Sequence, residues 1–346
     1  MNVKSWLLIL ALLLPSFAQA QGYAGLGGSA EGFDIPQPGY RFKFPQDHGP
    51  HPSFRIEWWY LTANLTGEDG RPYGIQWTLF RSALKPKETA GWQSPQLWMG
   101  HAAVTTPDHH YFAERLSRGG IGQAGVTAQP FEAWIDEWHM RGPDINKLSL
   151  SANGGNFGYD LNLNAQGPLV FHGDQGYSVK SGVGQASYYY SQPFFAVEGT
   201  LHLPDQDIAV TGQGWLDREW SSQPLAADQS GWDWFSLSFD DGNKLMAFRL
   251  RGDRSDFTAA TLISAEGETT ALPDGSVTFS PLETSTVAGR TIPTRWRVTL
   301  PDRNLDVDVS ALTPEAWMAT RFEYWEGPVT ISGSHSGRGY LEMTGY

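Results

Sequence analysis

The chain contains no cysteine among its 346 residues. Disulfide bonds, thiolate-ligated zinc, iron–sulfur clusters, thiol catalysis and a lipid anchor on an N-terminal cysteine are therefore excluded. Charged residues are also scarce at 18%, and 24 basic residues stand against 37 acidic ones, which gives a formal net charge of −13. This negative charge argues against nucleic acid as a partner, because a phosphate backbone attracts basic surfaces.

Long apolar runs are missing everywhere except at the N-terminus. Lys4 precedes an unbroken apolar stretch over 6–14, and Ala18-Gln19-Ala20 has the small-x-small form of a cleavage site. We interpret residues 1–20 as an export signal and expect a periplasmic or secreted protein whose mature chain starts at Gln21. The competing interpretation is a membrane anchor, but a span needs about 20 apolar residues and this stretch has about nine. We therefore expect a protein that does not span the membrane.

Aromatic residues are abundant, and the chain has 15 Trp, 39 Gly and 22 Pro. Short aromatic and β-branched runs alternate with Gly, Pro, Asn and Asp, which is typical of antiparallel strands joined by tight turns. Residues 21–40 lack such runs and are predicted to form an extended arm. The two clearest hairpins are predicted for 55–65 with 73–81 and for 232–239 with 244–251. The sequence thus predicts an all-β protein.

Two halves with the same character follow the arm. We predict one barrel over 41–204 and a second over 205–346. The segment 131–140 fits either a helix or a bulged strand, and its context favours a strand. One short helix is predicted for 313–320, because Thr313-Pro314-Glu315 combines an N-cap residue with Pro at the first helical position.

Several familiar motifs are discounted. The stretch Gly120-Ile121-Gly122-Gln123-Ala124-Gly125 matches the dinucleotide fingerprint, but no βαβ unit surrounds it, so we interpret it as a turn. No G-x-S-x-G elbow is present to supply a serine nucleophile. His109-His110 and the pair His48 and His51 lack the spacing of zinc ligands. Neither a cofactor nor a metal is predicted.

Polar residues inside aromatic strands are the first candidates for a site. Glu57, Gln76, Arg81 and His101 each lie between apolar neighbours. A buried charged or amide group is costly unless it is paired, so these residues either form mutual ion pairs, line a cavity or point outward. With Trp58, Tyr60 and Trp77, they are predicted to line the inside of a barrel.

The densest polar cluster is Asp217-Arg218-Glu219-Trp220, which Trp232 and Trp234 follow closely. One interpretation is a self-neutralising structural ion pair of Arg218 with the two carboxylates that flank it, Asp217 and Glu219. The other is a general acid beside aromatic walls, because burial raises the pKa of a carboxylic acid and an indole face stabilises a cation.

These blocks carry a resemblance to a known family. Beside Glu57-Trp58-Trp59-Tyr60 and the 217–220 cluster, it extends over 44–49, 74–81, 98–102 and 339–346. On these residues the chain resembles the AttH and carotenoid 1,2-hydratase family. The resemblance implies two lipocalin-like, calycin-type antiparallel β-barrels packed together around a mainly apolar cavity. Family members include hydratases that add water to an isolated C=C bond and exported AttH proteins, described as predicted hydrolases, that are associated with ABC-transporter components.

One position departs from the hydratase pattern. In carotenoid hydratases the segment matching 217–220 carries a His two residues before the Trp, where this chain has Arg218. Arginine cannot deliver a proton near neutral pH, because its pKa exceeds about 12. Asp217 or Glu219 would then have to act as the acid.

Three functions follow as hypotheses. The leading one is an exported protein that binds an apolar or amphipathic small molecule (a lipid, isoprenoid or polyene), accessory to an ABC-type export system. The second is cofactor-free hydration of an alkene, and the third is carbohydrate binding on exposed tryptophans. The predicted catalytic residues are Asp217 or Glu219 as acid, Trp220 and Trp232 as cation stabilisers, and His101 or Glu57 as the group that activates water. The predicted ligand-binding residues are Glu57, Trp58, Tyr60, Gln76, Trp77, Arg81, Arg218, Trp232 and Trp234.

Overall fold

The computed structural model describes residues 29–346. The predicted export signal, its cleavage site and the start of the predicted arm lie outside the described residues. Between residues 29 and 55 the chain forms turns and one 3₁₀ turn, Gln46–His48, without a strand. The rest is built of strands, and the remaining 3₁₀ turns of the described part are Gly91–Gln93 and Pro301–Arg303. The all-β prediction is confirmed.

The first sheet contains thirteen strands in the hydrogen-bonded order β4-β3-β2-β1-β13-β12-β9-β8-β7-β6-β5, with β10 and β11 paired to β12. Their bounds are β1 (Ile56–Gly67), β2 (Pro72–Ala83), β3 (Gln96–Thr105), β4 (His110–Arg118), β5 (Ala124–Ala128), β6 (Phe131–Ile135), β7 (Trp138–Asp144), β8 (Lys147–Asn153), β9 (Gly158–Ala165), β10 (Val170–Phe171), β11 (Tyr177–Val179), β12 (Ala186–Leu203) and β13 (Gln206–Ser221).

This sheet curls until its two ends approach each other. A Cβ atom on Gly100 of β3 would lie only 2.7 Å from Ile135 of β6, so the backbones come close across the interior at this glycine. Arg115 of β4 also lies over the ring of Trp138 of β7, 4.6 Å from its centroid. The first sheet is therefore a nearly closed barrel.

The second sheet contains ten strands in the order β17-β16-β15-β14-β23-β22-β20-β19-β18, with β21 paired to β22, and forms a half-barrel. Their bounds are β14 (Gln229–Phe239), β15 (Lys244–Gly252), β16 (Phe257–Ile263), β17 (Thr269–Leu272), β18 (Thr278–Val287), β19 (Arg290–Leu300), β20 (Leu305–Ala311), β21 (Trp317–Met318), β22 (Tyr324–Gly333) and β23 (Gly337–Thr344).

Most local predictions are confirmed, and one is wrong. Both predicted hairpins form, as β1–β2 and β14–β15, and 131–140 is split into β6 and the start of β7 by a turn at Asp136, whose φ is +52°. The predicted helix over 313–320 does not form. Instead Trp317 pairs with Trp325, and the indole of Trp325 donates a hydrogen bond to the carbonyl of Pro314. Strand pairing with β22 and burial of Trp317 in the second core outweigh the local capping signal.

The two sheets do not exchange strands. The predicted boundary between 204 and 205 falls in the turn from β12 to β13, and both of these strands belong to the first sheet. The chain passes to the second sheet after Ser221, so sheet membership changes later along the chain than the predicted boundary. No helix long and apolar enough to cross a bilayer occurs between residues 29 and 346.

Strand alternation divides the apolar side chains into three layers. On β1, Trp59 and Leu61 point into the first barrel, while Trp58 and Tyr60 point outward. On β14, Phe235 and Leu237 belong to the core of the second sheet. The third layer lies between the sheets, where the outer face of the barrel meets the half-barrel. This interlayer region positions the candidate site.

Candidate ligand-binding and catalytic site

A cleft opens between the two sheets, and we call it the interlayer cleft. It holds about 750 Å³ of unoccupied space, part of it open to solvent. Its apolar walls are formed by Trp58, Phe80, Trp232, Trp234, Phe248 and Leu250. A branch of about 600 Å³ shares Ile56, Phe80, Trp232 and Glu342 with the cleft and is also lined by His101 and Tyr324.

Glu342 stands in the wall common to the cleft and its branch. Its carboxylate accepts a hydrogen bond from the indole N–H of Trp232. Burial raises the pKa of Glu342 to about 7, although this hydrogen bond lowers it, and the charges of Asp217 and Glu219 raise it further. A carboxyl group with such a pKa is substantially protonated near neutral pH, so it can donate a proton into an apolar space.

A second carboxyl group lies beside Glu342. Glu326 of β22 pairs directly with Glu342 of β23, so the two side chains project from adjacent strands on the same face. Glu326 is buried, and within residues 29–346 no group lies in full hydrogen-bond geometry with either of its oxygens, although two tyrosine hydroxyls face them. Burial raises the pKa of Glu326 well above its ordinary value, and the charge of Glu342 adds to this, although the Tyr60 and Tyr324 hydroxyls that face it oppose the shift. Glu326 is therefore held neutral.

Glu219 and Asp217 project from the same face of β13, but only Glu219 lines the cleft. The Glu219 carboxylate lies 2.7 Å from the ammonium of Lys180 and also accepts a hydrogen bond from Ser187. Asp217 lies behind the cleft surface, where its carboxyl accepts hydrogen bonds from three neighbours, namely Ser191, the Trp215 indole (2.7 Å) and the Tyr189 hydroxyl (2.9 Å). Burial raises the pKa of Asp217 to about 7 in spite of these hydrogen bonds.

His101 lines the branch rather than the main cleft. Its Nδ1 is 2.8 Å from the hydroxyl of Tyr324, and its Nε2 is 3.3 Å from a carboxylate oxygen of Glu114. Burial lowers the pKa of His101, and the Glu114 carboxylate opposes this shift. The imidazole is therefore neutral near pH 7, the form that can accept a proton.

Three predicted site residues form an ion cluster inside the first barrel instead of lining the cleft. Glu57 accepts hydrogen bonds from Arg81 (2.9 Å), Arg218 (2.8 Å) and His51 (2.7 Å). Burial alone would raise the pKa of Glu57, but the three cationic partners outweigh it and hold the pKa far below its ordinary value. The Arg218 guanidinium also lies 3.9 Å from the ring centroid of Trp59. Arg218 is thus a buried member of an ion cluster, but its carboxylate partner is Glu57 and not Asp217 or Glu219, as the sequence had suggested.

The remaining predicted residues fall into two groups, those that line the cleft and those that do not. Trp58, Tyr60, Trp232 and Trp234 line the cleft. Trp77 belongs to the core of the barrel, and Trp220 packs under the N-terminal segment, where the imidazole of His51 stacks on it at 3.8 Å. Gln76 is buried with its amide nitrogen bonded to Thr78, and it does not line the cleft.

Glu326, Glu342 and Lys180 are not among the site residues predicted from the sequence. A carboxylate within an aromatic strand was the signal that selected Glu57, and it applies equally to Tyr324-Trp325-Glu326 and to Tyr340-Leu341-Glu342. Between residues 29 and 346, no three His, Asp or Glu side chains are grouped as a metal ion would need. The cleft itself places the carboxyl group of Glu342 beside the indole of Trp232.

Comparison with known proteins agrees with this architecture. The family model of AttH-like proteins matches residues 35–346. A solved structure described as an AttH of Nitrosomonas europaea is 35% identical, with a TM-score of 0.82 over 91% of this chain and 99% of that chain. Kievitone hydratase of Nectria haematococca is 18% identical, with a TM-score of 0.68 over 91% of this chain and 96% of that chain, a likeness that shows the fold alone. No curated protein matches the chain.

Proposed function

Because the chain belongs to the AttH-like family, we propose that it binds an apolar or amphipathic small molecule, such as a lipid, an isoprenoid or a polyene, in the interlayer cleft. The observation that carries this proposal is the composition of the cleft walls. Indole, phenyl and leucine side chains form most of the surface, and polar groups enter only at a few defined points. Small-molecule sites commonly combine an apolar wall with a few placed polar groups.

The placement of the polar groups favours a ligand with one polar end. Lys180 and Glu219 lie together in the wall of the main cleft, while the branch carries His101 and Tyr324. The Lys180 ammonium also lies 4.2 Å from the ring centroid of Phe248. An apolar body between the sheets could therefore place a hydroxyl or carbonyl group against either polar end.

A neutral apolar probe tests the binding site. N-phenyl-1-naphthylamine should bind saturably with micromolar affinity and quench tryptophan emission. Trp58→Ala should weaken binding at least about tenfold, because the indole forms part of the cleft wall. Trp134→Ala is the matched control, since Trp134 does not line the cleft and its indole donates a hydrogen bond to the carbonyl of Gly122. Equal affinity in both variants would place the probe elsewhere.

The carbohydrate hypothesis has a narrower basis. Sugar platforms need tryptophan faces open to solvent. Trp92, which is 73% exposed, is the one largely exposed tryptophan among the described residues. Saturable binding of oligosaccharides without binding of the apolar probe would favour this hypothesis over the first.

Cellular location and partner are part of the same proposal. We propose that residues 1–20 direct export, and that the protein works in the periplasm or outside the cell beside an ABC-type exporter. N-terminal sequencing of exported material should find Gln21 first. Protein that retains Met1 in a membrane fraction would contradict cleavage of the export signal. If cross-linking in cells recovers no exporter component, the proposed association with an ABC-type exporter is wrong.

Hydration of an alkene is a second candidate, favoured specifically by the neutral carboxyl group of Glu342 in an apolar wall. Glu342 would transfer its proton to one alkene carbon, forming a C–H bond as the π bond breaks. The indoles of Trp58 and Trp232 would stabilise the resulting carbocation. Water would then form the C–O bond and lose a proton to His101, and solvent exchange would return the proton to Glu342. The net reaction adds one water molecule.

Turnover of an acyclic terpenoid with a trisubstituted alkene tests this candidate. Glu342→Gln should reduce turnover by about 10² to 10⁴-fold while the apolar probe still binds, because general acid catalysis contributes that much. Glu268→Gln, on an exposed turn, is the control. Full turnover by the Glu342 variant would remove Glu342 from the mechanism, and binding without turnover in the wild type would leave binding as the function.

A further inference from the structure

A second cavity lies between the same two sheets, and we call it the polar cavity. It holds about 1080 Å³ of unoccupied space, part of it open to solvent. Trp215 forms one wall, and the polar lining is provided by Asn64, Gln213, Ser236, Ser238, Lys244 and Arg338. The interlayer aromatic cluster that includes Tyr60 and Trp234 separates it from the interlayer cleft.

Lys244 is the unusual feature of the polar cavity. It begins β15, and alternation along that strand directs it, like Met246 and Phe248, toward the first sheet. The residue is only 6% exposed. Its ammonium donates a hydrogen bond to the hydroxyl of Ser238 at 3.0 Å and lies 5.3 Å from the ring centroid of Phe194. No carboxylate of residues 29–346 lies within ion-pair distance, and burial lowers the pKa of Lys244 to about 8.

A second cation lines the same cavity from the strand on the other side of Ser238. Arg338 of β23 pairs in register with Ser238, and its guanidinium donates a hydrogen bond to the hydroxyl of Thr66 at 2.9 Å. The described part of the chain offers Arg338 no ion-pair partner either. Of the described residues that line the cavity, only Asp240 is acidic, and it lies exposed with its carboxylate bonded to the hydroxyl of Ser336. The cavity therefore carries two positive charges against one negative charge.

Neutral hydrogen-bonding groups complete the lining. The side chains of Thr62, Asn64, Gln213 and Ser236 all line the cavity, and none of them forms a side-chain hydrogen bond with another described residue. Hydroxyl and amide groups can donate to the oxygens of an anion. A buried ammonium without a counter-ion is unfavourable, and an anion beside it would restore the pairing that buried charges ordinarily have.

We propose that the polar cavity is a second binding site, which takes a small polar molecule through an oxyanion group, either a carboxylate or a phosphate. Lys244 provides the central positive charge, and Arg338 provides the outer one. About 420 Å³ of the cavity is accessible to the centre of a water-sized molecule, a volume that suits a small-molecule site better than a single ion. The site is separate from the interlayer cleft, so it stands whether or not the cleft binds an apolar ligand.

Thermal unfolding of the full chain with succinate or inorganic phosphate tests the site, with sodium chloride of equal ionic strength as the reference. At least one of the two should raise the melting temperature saturably, because a ligand that binds the native state stabilises it. The two anions distinguish carboxylate from phosphate recognition. If neither anion acts beyond chloride, or if a neutral sugar acts instead, the proposal is overturned.

Variants locate the effect in the cavity. Lys244→Met should raise the melting temperature without ligand, since it removes an unpaired buried charge, and should weaken anion binding at least about tenfold. Arg338→Gln, at an exposed position, should also weaken anion binding. It tests the site even if the Lys244 variant does not fold. Exposed Lys147→Met is the control. If the folded Lys244 and Arg338 variants bind the anion as tightly as the wild type, the proposed anion site is refuted. Binding of the apolar probe to the same variants tests the interlayer cleft separately.

Discussion

Replacement of Glu342 by glutamine should change the stability of the protein in a pH-dependent way. Burial raises the pKa of Glu342 from 4.5 to about 7 in the folded state. Because the unfolded chain releases this proton near pH 4.5, stability is lost as the pH rises from about 4.5 through about 7. The difference between the two pKa values corresponds to roughly 3 kcal/mol above pH 7.

Glutamine retains an oxygen that can accept the hydrogen bond of Trp232 but cannot ionise. We therefore expect Glu342→Gln to match the wild type near pH 4 and to become more stable than the wild type by roughly 3 kcal/mol near pH 9. Urea unfolding followed by tryptophan fluorescence across this pH range measures the free energy of unfolding. Glu268→Gln controls for the loss of one negative charge. If the free energies of unfolding of the wild type and the variant differ by the same amount near pH 4 and near pH 9, the pKa of Glu342 is not raised.

Three further outcomes follow from the packing. Arg218→Met removes one cationic partner of the buried Glu57 carboxylate, so it should destabilise the fold by roughly 3 to 5 kcal/mol. The melting temperature should fall accordingly, and an unchanged melting temperature would contradict a buried ion cluster. Gly74→Ala would place a Cβ atom 2.6 Å from the ring of Pro328 in β22, so it should lower the free energy of unfolding in urea by roughly 1 to 3 kcal/mol. Gly155→Ala is the control, because its new Cβ atom would have no described atom within 4 Å. Burial lowers the pKa of His51, but the Glu57 charge and two hydrogen bonds outweigh burial and raise this pKa above 6.5. The stabilisation from protonated His51 is therefore present below pH 6.5 and is lost at higher pH. His51→Gln should lower the free energy of unfolding more at pH 6 than at pH 9, and the reverse order would exclude ion pairing.

The strands could be predicted from local sequence because their signals are local. Alternation and turn chemistry defined both hairpins, and the family resemblance carried by the aromatic blocks is confirmed. The failure at 313–320 has a long-range cause. Thr313-Pro314-Glu315 begins a helix on local terms, but Trp317 gains a pairing partner in β22 that no local window contains.

The candidate site was predictable in its residue types but not in its arrangement. The polar groups selected within aromatic strands include Glu57 and Arg81, which form a buried ion pair. Neighbours on a strand point to opposite faces, however, so Glu57 and Trp58 lie on opposite sides of the sheet, as do Arg218 and Glu219. A histidine at position 218 would therefore enter the buried ion cluster and would not supply an acid to the cleft.

The sequence by itself determined the all-β class, the hairpins and the supply of carboxylates and indoles, because each of these depends on residues close together in the chain. The tertiary structure decided which face of the barrel the second sheet covers, and hence that the outward side chains of β1 and β2 line the cleft. It also placed Glu326 beside Glu342 through the pairing of β22 with β23, and it buried Lys244 where no carboxylate of the described residues reaches it. These features arise from contacts between distant segments, and strand periodicity does not specify which two sheet faces will meet.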